Sequence, residues 1–143
     1  MTQRLHHIGY IVASVEESLP RFLASAGAVQ VSEIFEDPLQ KARVVFLAPP
    51  DSSGVLLELV APTEPASPVS AAAARGGGLH HLCYEVGDLD AHLAAMRSRK
   101  AVLIRPAKPA VAFGGRRIAW MITPEKLVLE FLEAPPHNSA SSV

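Results

Sequence analysis

Leu5-His6-His7-Ile8-Gly9-Tyr10-Ile11-Val12 returns as Leu79-His80-His81-Leu82-Cys83-Tyr84-Glu85-Val86, 74 residues further along the chain. A repeat at a fixed offset is the first thing to settle, because it dictates the architecture. The offset persists beyond the strand-like octets. Ser14 corresponds to Asp88, and both residue types cap helix N-termini. Val15, Leu19 and Phe22 correspond to Leu89, Leu93 and Met96. That i, i+4, i+7 spacing is one face of an amphipathic helix. Ser14 with Glu17 fits a capping box, Gly27 is a natural stop, and Pro20 inside the first helix is expected to kink it.

The repeats also end alike. Leu56-Leu57-Glu58-Leu59-Val60 is answered by Val128-Leu129-Glu130-Phe131-Leu132. Lys41 to Leu47 and Val55 to Val60 read as strands joined by the turn-forming run Pro49 to Gly54. Arg117 to Ile122 and Leu127 to Leu132 flank Thr123-Pro124-Glu125-Lys126 as a short hairpin. Each half therefore reads βαβββ, and the expected class is α+β. Two tandem modules would form a curved mixed sheet around a metal and substrate cleft. One domain is expected over 1–143, with a first module at 4–62 and a second at 79–134. The linker 63–78 should hold a short helix over Val69 to Ala74, opened by Ser67 and Pro68 as N-cap and N1 and stopped by three glycines. The Pro-, Ser- and Ala-rich tail 135–143 is expected to be disordered.

Four residues carry the functional reading: His7, Glu58, His81 and Glu130. Side chains alternate across a strand. If Ile8 and Leu82 face the helices, His7 and His81 face the other side of the sheet. The same alternation sets Glu58 against Leu57 and Leu59, and Glu130 against Leu129 and Phe131. A glutamate in an apolar strand is costly unless it is exposed, paired or bound to a metal. Two such glutamates, at equivalent places in modules that each begin with a strand histidine, make a pseudo-symmetric set. Two imidazoles and two carboxylates suit a divalent Co, Mn, Ni, Zn or Fe ion better than Ca. Octahedral geometry would leave two positions open for a chelating substrate, whose carbonyl the metal could polarise. His6 and His80 read as structural or supporting residues, His92 as a solvated helix residue, His137 as tail and Cys83 as buried packing.

Bulk properties set the outer bounds. The chain has 143 residues, 49% apolar and 19% charged, with a net charge of −1. That is a core-rich folded composition without the basic excess that nucleic-acid binding favours. No apolar run approaches the roughly 20 residues of a membrane helix, and the N-terminus shows no apolar signal region. A single cysteine fits a reducing compartment. A cytoplasmic protein with a small-molecule substrate and no nucleic-acid or membrane partner is expected.

The chain resembles the vicinal oxygen chelate (glyoxalase/bleomycin resistance/dioxygenase) superfamily, and within it the methylmalonyl-CoA epimerases. The carrying pieces are His6 to Gly9, Gln40 to Phe46, Leu57 to Leu59, Ser67-Pro68, Gly78 to Leu82, Gly114 to Trp120 and Leu127 to Glu130. The resemblance implies metal ligation by His7, Glu58, His81 and Glu130. It implies that Glu130 is the catalytic acid/base, removing a proton α to a thioester carbonyl of an acyl-CoA. It also implies a homodimer. Val44 stands where some family epimerases carry a second acid/base glutamate; Glu33 and Glu36 are alternative carboxylates. Lys41, Arg43, Arg116 and Arg117 could grip a CoA phosphate or a substrate carboxylate. The alternatives are a glyoxalase I-type lyase, an Fe(II) dioxygenase of the same fold, or a non-enzymatic antibiotic-binding protein using Trp120 and Phe113.

Overall fold

The computed structural model describes residues 3–136. The expectation of a disordered tail, with His137, falls largely on residues outside that range. By internal contacts the chain divides into two units, Leu5–Cys83 and a second from Tyr84 onward that includes the start of the first strand.

The Leu5–Cys83 unit follows the expected order, with one added strand. Strand β1 (Gln3–Ile11) leads into helix α1 (Val15–Ala26), then β2 (Val29–Gln30), β3 (Phe35–Asp37), β4 (Ala42–Ala48) and β5 (Leu56–Pro62). A short helix α2 (Ser70–Ala74) precedes β6 (Gly78–Val86). Pairing is mixed. β1 runs parallel to β5 with Gly9 opposite Glu58, and β4 runs antiparallel to β5 with Phe46 opposite Glu58. β2 and β3 pair successive stretches of β4, and β6 neighbours β1.

Local chemistry explains α1. The Ser14 side chain accepts the Glu17 N–H, and Gly27, at φ 62°, ends the helix with its N–H on the Leu23 carbonyl. The helix continues through Pro20 to Ala26. Its apolar stripe (Val15, Leu19, Phe22, Leu23) packs on Val45, Leu47, Leu59 and Ala61. The alternate residues of the same strands, Ala42, Val44 and Val60, with Ile11 of β1, pack instead beneath Val69, Ala72 and Ala73 around α2. Helices on both faces explain why β4 is an almost unbroken apolar run. Gly77, at φ 75°, is needed where the chain returns from α2: an added Cβ would sit 2.3 Å from the Ile11 carbonyl oxygen.

The linker differs in detail from expectation. Helix α2 begins at Ser70, behind an N-cap at Val69 that makes no side-chain bond. The Ser67 hydroxyl is drawn instead across to the Gln40 carbonyl, donating at 2.6 Å while accepting the Val69 N–H. Gln40 also donates through Nε2 to the buried Asp37, so this polar cluster ties the β3–β4 turn to the linker.

In the second unit, Asp88 caps helix α3 (Leu89–Ser98) by accepting the Ala91 N–H. Three antiparallel strands follow, β7 (Val102–Pro109), β8 (Arg117–Ile122) and β9 (Val128–Glu133). One expectation is overturned here. His92 is not solvated; it is 6% exposed, with its ring 4.5 Å from that of Phe131. It lies on the Leu89, Leu93, Met96 stripe at i+3, so the helical period carries it inward. Among the described residues, no helix is long and apolar enough to cross a membrane.

Burial, then the nearby Arg99, hold His92 below the ordinary histidine pKa of 6.5. The unfolded state therefore takes up the proton first. Stability from this site is complete above pH 6.5 and is lost as pH falls through the depressed folded-state value. Urea midpoints at pH 7.5 and 5 should diverge for the natural chain and diverge less for His92→Phe, which keeps the ring.

Candidate metal centre

Strand register brings His7, Glu58 and His81 together. Glu58 lies opposite Gly9 on one side and Phe46 on the other, on the sheet face away from α1. His7 shares that face by alternation, whereas Ile8 lines a hollow with Ala26 and Ala28 at the end of α1. His81 enters from the neighbouring β6. All three side chains are buried, at 0%, 3% and 3% exposure respectively.

The donor atoms form a nearly equilateral triangle. His7 Nε2 and His81 Nε2 are 3.2 Å apart, and each is 3.3 Å from Glu58 Oε1. Such a triangle has its centre about 1.9 Å from each corner, and a small step out of plane reaches the ~2.0–2.2 Å of metal–imidazole and metal–carboxylate bonds. The donor set therefore fits a divalent ion by size as well as by chemistry. Burial pushes the Glu58 carboxyl up, but the imidazoles of His7 and His81 outweigh that and hold it below the ordinary carboxylate value. Glu58 is accordingly a charged ligand ready to bind.

Neighbouring groups fix the rings. His6 Nδ1 lies 2.8 Å from His7 Nδ1, and His80 Nδ1 lies 2.9 Å from His81 Nδ1. Phe46 meets the His7 ring edge-to-face at 5.3 Å and stacks on Phe35 at 6.3 Å, forming an apolar wall. Gly9 is required by contact. A Cβ there would lie 2.0 Å from His81 Cε1 and 2.6 Å from its Nε2. Sequence inspection included Gly9 in the repeated motif without seeing this need, which arises only when β6 is laid beside β1.

Glu130 belongs to the second unit. It is 2% exposed on β9, directly opposite the buried Trp120 of β8. Cys83 is buried, as expected. Val44 is fully buried beneath α2. Glu33 and Glu36 are exposed, and Glu36 lies 3.6 Å from Arg43.

The arginines expected to grip a ligand are held by the chain's own carboxylates. Arg43 pairs with Glu16. Arg116 donates to Glu85 at 2.8 Å and to the Glu133 carbonyl at 3.1 Å. Arg117 forks onto Glu133 and Asp90, which raise its pKa beyond the ordinary arginine value. Lys41 is exposed at the β3–β4 turn, at φ 49°.

A family profile matches residues 6–120, and the chain belongs to the Glyoxalase/Bleomycin resistance protein/Dioxygenase superfamily. Two curated relatives are epimerases. It is 25% identical over 123 residues to the ethylmalonyl-CoA/methylmalonyl-CoA epimerase of Cereibacter sphaeroides, covering 85% of this chain and 89% of that one. It is 29% identical over 99 residues to the mouse mitochondrial methylmalonyl-CoA epimerase, covering 68% of this chain and 53% of that protein. The crystal structure of methylmalonyl-CoA epimerase from Mycobacterium tuberculosis superposes with a TM-score of 0.79 at 27% identity, covering 96% of this chain and 91% of that one. The α+β class and the glyoxalase-type fold are those of these relatives.

The glycine contact makes a sharp test. Gly9→Ala should displace the His81 ring and destabilise the fold by about 1–3 kcal/mol, the usual cost of overpacking. Zinc titration of the variant should show at least a tenfold loss of affinity. Unchanged affinity would mean that His81 is not held over Gly9.

Proposed function

We propose that the protein is a metal-dependent epimerase that removes a proton α to the thioester carbonyl of an acyl-CoA, with methylmalonyl-CoA or a close analogue as substrate. The His7–Glu58–His81 triangle carries this reading, and the named relatives support it. Glu130 would complete the ligand set. Its support is its repeat equivalence to Glu58 and its burial within an apolar strand. A divalent ion held there would supply Lewis acidity toward the carbonyl and lower the cost of developing negative charge.

The chain's own groups would do the rest. Glu58, ionised and out of water, contributes fixed negative charge and orients the two imidazoles. The Phe35–Phe46 wall beside His7 would help keep water from that side of the centre. Glu130 is the proposed base, taking the α proton onto its carboxylate; return of that proton to the same face restores the centre, so inversion requires a second proton donor on the opposite face of the planar enolate. With Val44 in the core, a second carboxylate is not supplied from that strand position. Recognition of the CoA portion would fall to groups other than Arg43, Arg116 and Arg117, which already hold internal carboxylates. The same reading takes the acting species as a homodimer, which sedimentation velocity checks directly.

Elemental analysis of untagged protein should find about one Co, Mn, Ni, Zn or Fe per chain, lost in His7→Ala and Glu130→Ala. Metal-loaded protein in deuterated water should exchange the α proton of methylmalonyl-CoA. Glu130→Gln should slow that exchange by at least 100-fold, within the range of general acid–base contributions. A loaded protein that leaves the α proton in place would overturn the epimerase. Fe(II)-dependent oxygen uptake would point to a dioxygenase, and an absence of metal under every ion to a binding protein.

A further inference from the structure

The two outer histidines of the repeat are not accounted for by the ligand set. Neighbouring residues in a strand point to opposite faces. His6 and His80 would be expected to turn away from the centre. Instead each brings its Nδ1 back to the Nδ1 of the next residue, at 2.8 and 2.9 Å. The two pairs share one geometry, with ring centroids 5.1 Å apart and planes at 80° and 89°. The outer rings are half-buried, so the contact is partly shielded from water. The same arrangement has formed twice, once in each repeat.

We propose that His6 and His80 are positioning residues that accept the Nδ1 protons of His7 and His81 and so keep the Nε2 lone pairs of the inner rings turned into the triangle. This inference rests on the reading of His7 and His81 as metal ligands. A hydrogen bond between two ring nitrogens holds one proton, so one ring donates and the other accepts. If a neutral inner ring accepted at Nδ1, its only proton would sit on Nε2, facing Glu58 Oε1 and the other inner ring at 3.3 and 3.2 Å. That proton would block coordination. With the outer ring accepting, the inner ring carries its proton at Nδ1 and leaves Nε2 open. The outer ring then bears its own proton at Nε2. Hydrogen bonds on the far side of a ligating imidazole generally fix its tautomer and basicity in this way.

Long-range proton–nitrogen NMR on the full chain, loaded with zinc, reads the tautomers directly. The expected result is Nδ1–H on His7 and His81, and bare Nδ1 with Nε2–H on His6 and His80. His6→Phe keeps a ring against Phe46 and removes the acceptor. In that variant zinc affinity should fall about 10–100-fold. His6→Gln, whose side-chain oxygen can accept, should restore it. The His80–His81 signals should stay unchanged in either variant, which distinguishes a local effect from misfolding. Protons found on the outer Nδ1 atoms of the loaded chain would overturn the proposal, as would His6→Phe leaving zinc affinity unchanged. If the natural chain binds none of Co, Mn, Ni, Zn or Fe, the metal reading itself fails; an ion bound equally well by the natural chain and by His6→Phe overturns this inference alone.

Discussion

Glu58 carries its charge where water hardly reaches, and much of the Leu5–Cys83 unit is arranged to make that tolerable. An isolated buried carboxylate would cost several kcal/mol and would take up a proton instead. Two imidazoles stand 3.3 Å from one of its oxygens and keep it ionised. Those rings can approach only because β1 is paired with β5 in the register that sets Gly9, without a side chain, opposite Glu58. The centre thus depends on strand pairing and on one missing Cβ as much as on its donor residues.

The surrounding architecture follows from giving one sheet two different faces. One face is closed by α1 through Val45, Leu47, Leu59 and Ala61. The other bears Glu58 and His7 and is partly roofed around α2 by Val69, Ala72 and Ala73 over Val44 and Val60. Val44 lies fully buried under that roof. The polar cluster of Asp37, Gln40 and Ser67 fastens the roof to the β3–β4 turn.

Membership of the superfamily accounts for the fold. Other features come from side-chain pairing within the fold. Arg43, Arg116 and Arg117 are committed to Glu16, Glu85, Glu133 and Asp90, so charged residues that looked available to a ligand serve internal order. The paired histidine in the first repeat as well as the second gives both inner imidazoles the same support.

The sequence by itself determined the repeat, the α+β element order, the caps at Ser14 and Asp88, and which histidines and glutamates occupy equivalent strand positions. These are matters of local periodicity and self-similarity, which a linear pattern carries. Only the tertiary structure decided that His92 is buried against Phe131, although its i+3 spacing from Leu89 offered the clue. The same holds for Ser67, bonded across to Gln40 and not capping α2, and for Gly9, indispensable to His81. Each of these depends on which strand lies beside which, and in what register. Side chains tens of residues apart meet only through that pairing, and no local period encodes their separation.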